Sequence, residues 1–322
     1  HREGGEKEDR ANSLQRMCMF WYVVAGLLGL YVLRLLFKVL TRKSLAGEVA
    51  FVTGGGSGIG RTMCKMLAKR GCYVVIADIN AAAAEAVARE INDEFEESEM
   101  RALDVQCDVT SPSSIQEAAS RAQARYGAVT MLFNNAGIVS GKDIQNISHE
   151  EIERVIKVNT VAPIFCTKQF LPDMLARKKG HIVNIASSAG LVGVPKMTEY
   201  CASKAGCKLF NDALRLDLRR LGYTNIKTTV VCPFFINTGM FEGAATRFSW
   251  VLPILEEEYA SAKIIQAVRE NQTMLMMPRF LYLVPFIQAI LPTWISDWLS
   301  DVLGATNCMD DFVGRRSHPH SD

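Results

Sequence analysis

Two side chains four residues apart, Tyr200 and Lys204, form the pair in this sequence best suited to move a proton. On a helix, positions i and i+4 share one face. A phenol with a pKa of about 10 is a poor base at neutral pH, but a fixed ammonium beside it stabilises the phenolate and lowers that pKa. The same lysine could hold a ribose. Thirteen residues upstream, Ser187 ends the apolar run HIVNIAS. A hydroxyl at a strand end can hydrogen-bond a substrate oxygen and steady it. A tyrosine–lysine spacing alone is common on helix surfaces, so the pair takes its meaning from its neighbours.

The segment Thr53-Gly54-Gly55-Gly56-Ser57-Gly58-Ile59-Gly60 lies between an apolar run and a helical stretch. A dinucleotide pyrophosphate needs a backbone that it can approach closely and a helix N-terminus with free N–H groups. Glycines at 54, 58 and 60 provide both. Asp78 closes the second apolar run, 18 residues past Gly60. A carboxylate there accepts hydrogen bonds from adenosine ribose hydroxyls and repels a 2′-phosphate. No basic residue occupies position 57 or 78, and the nearby Arg61 reads as a solvated helix residue. NAD is therefore favoured over NADP. Asn134-Asn135-Ala136-Gly137 closes another apolar run, and Asn159 sits in KVNTV. Asparagines in such places often only satisfy local backbone groups.

Short apolar runs alternate with helical stretches from residue 48 onward. Strands are expected at 49–52, 72–76, 102–107, 129–133, 181–186 and 227–232, and helices at 60–70, 80–97, 112–126, 149–176 and 198–221. That alternation predicts a parallel α/β sheet with helices on both faces. With 36 basic against 34 acidic residues, the chain lacks the excess of a nucleic-acid partner, and 49% hydrophobic content excludes a disordered chain. Nine cysteines without a CxxC pair read as free thiols in a reducing compartment. The five histidines show no metal-ligand spacing, and His318 and His320 lie in a polar tail, so no metal is expected.

Four regions follow: a polar tail at 1–16, a membrane anchor at 17–40, a catalytic domain at 45–250 and an apolar region at 251–322. The run at 17–33 has no charge, and a helix over 17–40 would exceed the roughly 30 Å hydrocarbon core of a bilayer. A buried core helix or a signal peptide are the alternatives; no small-residue cleavage site follows. Basic residues flank both ends equally, so the positive-inside rule leaves the orientation open. The chain begins at His1 rather than methionine, which leaves room for residues before it. Between 274 and 303, Pro278, Pro285 and Pro292 break the apolar pattern, so this region either lies on a membrane, closes the substrate pocket or packs as core. Asn146 and Asn271 head glycosylation sequons, but the free cysteines favour a cytosolic face and no glycan is expected.

The motifs TGxxxGxG at 53–60, NNAG at 134–137, Asn159, Ser187 and Tyr200/Lys204, in this order, resemble those of the short-chain dehydrogenase/reductase family across residues 45–245. The resemblance implies a Rossmann-type doubly wound parallel sheet and a catalytic tetrad of Asn159, Ser187, Tyr200 and Lys204, with Asn159 holding a proton-relay water. It implies a cofactor site at Gly54, Ser57, Gly58, Ile59, Gly60, Asp78, Asp108, Asn135, Tyr200, Lys204, Pro233 and Thr238. Asp108 would meet the adenine amino group and Thr238 the carboxamide. One departure is Pro233-Phe234, where many members have Pro-Gly. The string CPFFINTGMFEG at 232–243 resembles a narrower branch containing retinol dehydrogenases, near lipid-droplet 17β-hydroxysteroid dehydrogenases. That branch implies NAD-dependent oxidation of a lipophilic alcohol, all-trans-retinol first, on the endoplasmic reticulum membrane or a lipid droplet with the catalytic domain cytosolic. A hydroxysteroid or other lipid alcohol, and a non-catalytic droplet scaffold, are the alternatives. Leu191, Val192, Val194, Met197, Phe234, Phe235, Met240 and Phe241 would shape the pocket, and two copies would pair through 149–176 and 198–221.

Overall fold

Strands buried on both faces read as continuous apolar runs, and this is how the sheet begins. In the computed structural model, β1 (Val49–Thr53), β4 (Met131–Asn134) and β5 (Gly180–Ile185) are buried at every position. With β2 (Tyr73–Asp78), β3 (Ala102–Gln106), β6 (Ile226–Pro233) and β7 (Met274–Met277) they form a seven-stranded sheet in the order β3-β2-β1-β4-β5-β6-β7. Every pairing is parallel. The order reverses between β1 and β4, the switch point where open α/β sheets leave a crevice beyond their carboxyl ends. This is the expected Rossmann-type architecture.

The structure describes residues 39–96 and 100–314 and scattered residues between 19 and 33. Residues 1–44 form one unit and 45–322 a second. In the first, Met19, Trp21, Tyr22, Leu28 and Leu33 are helical and exposed. Among the described residues no helix is long and apolar enough to cross a membrane. The 1–16 tail, much of the expected 17–40 anchor, Cys18 and the tail carrying His318 and His320 lie outside the described residues. Likewise among them, no group of residues could hold a metal ion, and the eight cysteines are free.

Helices cover both faces of the sheet, over two apolar clusters centred on Val52 with Ile76 and on Phe51 with Leu132. They are α1 (Gly58–Ala68), α2 (Ala81–Asn92), α3 (Pro112–Tyr126), α4 (His149–Ile156), α5 (Ala162–Arg177), α6 (Thr198–Arg220), α7 (Glu257–Arg269), α8 (Val284–Ile290) and α9 (Thr293–Val302). Their ends carry local signals. Ser111 caps α3 ahead of Pro112, and Ser148 with Glu151 closes a capping box on α4. The expected helix over 149–176 is divided: a π-helical segment, Lys157–Val161, joins α4 to α5. β7 and α7 come from the region beyond 250 and complete the sheet's edge and one of its faces.

Polar groups enter the core as one linked chain. Asn134 and Asn184 are register partners on β4 and β5, and the Asn134 amide donates to Asn184 Oδ1 at 2.8 Å. Asn184 in turn donates to Asn211 Oδ1 on α6 at 3.0 Å, and all three are buried. This chain ties the catalytic-end strands to the helix that carries Tyr200. Asn184→Ala leaves both neighbours without their best partner and should destabilise the fold by about 1–3 kcal/mol. Urea unfolding of the two proteins checks this; equal midpoints contradict it.

Candidate active site

Beyond the carboxyl ends of β1, β4, β5 and β6 lies a cavity of about 900 Å³. Its floor is built from the strand ends. Thr53 Oγ1 donates to the Phe133 carbonyl at 3.2 Å and accepts from the amides of Asn135 and Ala136 at 3.0 and 3.1 Å. The glycine turn leads from β1 into α1. A Cβ on Gly60 would overlap the carbonyl oxygen of Gly54, so this approach of two backbone segments requires glycine there. Asp78 braces the turn by accepting from Gly56 N at 2.9 Å and Asn80 N at 3.0 Å. Thr238 lies close to Gly58, its Cγ2 3.5 Å from where a Gly58 Cβ would stand.

All the expected site residues except Asn159 line this one cavity: Gly54, Ser57, Gly58, Ile59, Gly60, Asp78, Asp108, Asn135, Ser187, Tyr200, Lys204, Pro233 and Thr238. A closely approachable backbone, a helix N-terminus and a carboxylate at the end of β2 fit a dinucleotide. Arg61 turns away: it pairs with Glu90 at 2.7 Å. Asn135 braces the turn as well, donating to the carbonyls of Thr53 and Gly54 at 3.0 and 3.1 Å. Asp108 Oδ1 accepts from the amide and the hydroxyl of Thr110, both at 2.8 Å.

Tyr200, Lys204, Cys207, Asn211 and Leu218 form the buried stripe of α6. Lys204 Nζ lies 5.6 Å from the Tyr200 ring centroid and donates to the Ile185 carbonyl at 2.8 Å. Burial, the largest influence, pushes the Tyr200 phenol up; its hydrogen bond with Ser187 works the other way. Burial also pushes the Lys204 ammonium down. In the protein alone the phenol is thus raised rather than lowered, because desolvation disfavours the charged forms of both groups.

Asn159, expected to hold a relay water, has its side chain engaged by the protein. Its Oδ1 accepts from Ile138 N at 2.9 Å, and its amide donates to the Ile138 carbonyl at 2.8 Å and to Ser203 Oγ at 3.0 Å. It clamps the strand exit to α6 and is absent from the cavity wall. Leu191 is the other departure, packing beneath the cavity with Met276 and Leu281, while Val192, Val194, Met197, Phe234, Phe235, Met240 and Phe241 do line it. Phe234 replaces glycine without a left-handed φ, and its amide donates to Met277 at 2.7 Å. Aromatic rings then step from Phe234 to Phe235 (4.8 Å), Phe241 (5.1 Å) and Tyr200 (6.1 Å).

Sequence reasoning missed Glu199. It is buried beside Tyr200 in the chain and accepts from Ser140 Oγ at 2.6 Å, pinning the loop after β4 to the first turn of α6. Its signal was a carboxylate directly before the tyrosine.

Residues 48–247 match the short chain dehydrogenase family. The chain belongs to the short-chain dehydrogenase/reductases. It is 38% identical to epidermal retinol dehydrogenase 2 of Mus musculus over 88% of this chain and 91% of that protein. It is 36% identical to retinol dehydrogenase 10 of Homo sapiens over 85% and 87%. A short-chain dehydrogenase/reductase from Burkholderia phymatum, solved in complex with NAD, superposes with a TM-score of 0.68 at 27% identity, over 77% of this chain and 95% of that one. This short-chain dehydrogenase/reductase is thus a retinol dehydrogenase-like oxidoreductase that uses a nicotinamide cofactor.

Proposed function

We propose that the protein oxidises a lipophilic primary alcohol, all-trans-retinol first, to its aldehyde with NAD at a lipid surface. The observation that carries this reading is the single cavity, running from the glycine turn past Tyr200, Lys204 and Ser187 to the apolar side chains of Leu281, Val284, Ile287, Leu299 and Leu303. The retinol dehydrogenase names of its relatives favour retinol.

The dinucleotide is held by the turn of Gly54, Ser57, Gly58, Ile59 and Gly60, by Asp78 and Asp108 at the adenosine half and by Pro233 and Thr238 at the other. Asn135 acts through the turn that it braces. When bound, the oxidised dinucleotide would supply a hydride acceptor and a positive charge that favours the Tyr200 phenolate. Tyr200 Oη takes the substrate hydroxyl proton, and Ser187 Oγ steadies the substrate oxygen. Lys204, anchored on the Ile185 carbonyl, fixes the distance of the ammonium from the ring. Asn159 is a positioning residue, holding Ile138 against the exit of β4. Such acid–base assistance contributes about 10²–10⁴-fold.

The outer side of the cavity supports association of the 251–322 region with lipid. Trp294, Trp298, Phe286 and Ile290 are exposed at 72%, 58%, 67% and 78% on the two helices that line the cavity with Val284, Ile287 and Leu299. Aromatic side chains suit a membrane interface. The anchor at 17–40 would hold the domain there, on the cytosolic side of the endoplasmic reticulum or a droplet. Exposed Ile164, Leu209 and Leu216 on α5 and α6 support pairing of two copies.

Four outcomes test the reading. Tyr200→Phe should lower kcat for retinol by about 10²–10⁴-fold with NADH binding kept; a folded, NADH-binding variant as fast as the parent removes the assigned base. The parent's oxidation rate should climb with pH, because Tyr200 must be ionised to accept the proton. Asp78→Asn, which keeps an acceptor for Gly56 and loses the charge, should cut the NAD-over-NADP preference by about tenfold, the scale of one hydrogen bond to a charged group. A parent that prefers NADP contradicts the role given to Asp78. Trp294→Glu with Trp298→Glu should raise KM several-fold for retinol delivered in zwitterionic vesicles and leave it unchanged in detergent micelles. Equal effects in both media contradict lipid docking by α9.

A further inference from the structure

The last described stretch of chain, residues 305–314, crosses three loops that surround Tyr200. Val313 N and Gly314 N donate to the Glu242 carbonyl at 2.9 and 3.2 Å, and Ala245 N donates to the Cys308 carbonyl at 2.9 Å, which ties it to the loop after β6. Lys196 Nζ meets Asp310 Oδ1 at 2.8 Å, which ties it to the loop before α6. Phe312 lies against Gly141, in the loop after β4 that Glu199 pins to α6. Two glycines make the seat. A Cβ on Gly141, at φ +67°, would overlap the Phe312 ring, and one on Gly243, at φ +88°, would overlap the Asp311 carbonyl. Both positions combine a left-handed backbone with a close neighbour, so the loops are shaped to receive this segment.

What the segment covers is specific. Cys308, Met309 and Phe312 belong to the same apolar cluster as Tyr200, Met197, Phe235 and Phe241. Met309 is 2% and Tyr200 4% exposed, and Cys308 also lines the cavity. The segment is therefore part of what keeps water from the phenol. It also supplies apolar wall where an alcohol larger than the reacting carbon would extend.

We propose that residues 305–314 are a strap, anchored by Phe312 on Gly141, that seals Tyr200 from water and makes the site selective for long apolar alcohols over short ones. This rests on Tyr200 being the base. A short alcohol needs only Tyr200 and Ser187. A long one also meets the wall that the strap holds in place, so loosening the anchor lowers turnover of the long alcohol more. Water admitted beside the phenol relieves its desolvation and moves its ionisation to lower pH.

The test compares the full-length parent, Phe312→Ala, Gly141→Ala and Tyr200→Phe. The two strap variants approach one contact from opposite sides, and NADH fluorescence confirms that each retains its cofactor site. The readouts are the ratio of kcat/KM for retinol to that for a short allylic alcohol, and the acid limb of kcat/KM against pH. Both strap variants should lower the ratio by about tenfold or more, the scale of a few lost methylene contacts, and move the acid limb to lower pH. An unchanged ratio or an unmoved limb in either NADH-binding variant, with Tyr200→Phe inactive, overturns the strap and leaves the base standing. An active Tyr200→Phe overturns the base assignment itself. Should Phe312→Ala fail to fold, Gly141→Ala alone decides between these outcomes.

Discussion

An ammonium buried beside a buried phenol is the constraint around which the site is arranged. Lys204 is 4% exposed, and taking an ion out of water costs several kcal/mol unless polar partners receive it. The Ile185 carbonyl at the end of β5 is one such partner, at 2.8 Å. That bond ties α6 to the end of β5 one helical turn from the Tyr200 ring. The neighbourhood is cut to fit. A Cβ on Gly137 would stand 3.3 Å from both Lys204 Nζ and Asn159 Oδ1, so the turn after β4 is kept free of side chain where the ammonium passes. The pairing also has an electrostatic cost: desolvation pushes the phenol up and the ammonium down, so the protein alone keeps both groups nearer neutrality.

Buried amides do the positioning that apolar packing leaves undirected. The core on each face of the sheet is apolar, and dispersion contacts there have little direction. The chain Asn134–Asn184–Asn211 and the clamp of Asn159 on Ile138 and Ser203 add directional bonds of 2.8–3.0 Å. A displaced buried amide loses its partner without gaining water. The π-helical turn at Lys157–Val161 is the local distortion that brings Asn159 to that clamp. Such single-turn bulges recur at functional sites. The clamp places the Asn159 side chain beside the helix that carries Tyr200.

Much of this was legible in the sequence because it is written locally. A glycine turn between an apolar run and a helix, a carboxylate after the next run, and a tyrosine and lysine one helical turn apart are features of neighbours in the chain. The six strands through β6 were legible for the same reason: buried parallel strands read as short apolar runs bounded by turns or helices. β7 was not, since MLMM lies in the longer proline-broken apolar stretch at 274–303 and pairs with Val230–Pro233. α7 stayed hidden behind the acidic 256–258 stretch, which faces solvent in its first turn. The balance of desolvation against charge at Tyr200 was not legible either. Spacing reports that an ammonium is near; burial is a property of the whole fold. Phe234 shows the reverse case, a departure in sequence that the backbone absorbs without a left-handed φ.

The two short helices α8 and α9 present apolar side chains in two directions, which suits the proposed lipophilic substrate. Val284, Ile287, Leu299 and Leu303 turn to the cavity while Phe286, Ile290, Trp294 and Trp298 turn outward. A helix apolar on two sides is ordinarily buried on both. Here the second side meets solvent in the isolated chain, and Pro285 and Pro292 at the helix starts keep the pieces short enough to lie flat rather than span. A retinol molecule leaving a bilayer through such a wall would exchange one apolar surface for another. The transfer free energy of its chain, which strongly disfavours passage through water, would then not oppose entry. The catalytic pair would need only to fix the one polar atom that such a substrate carries.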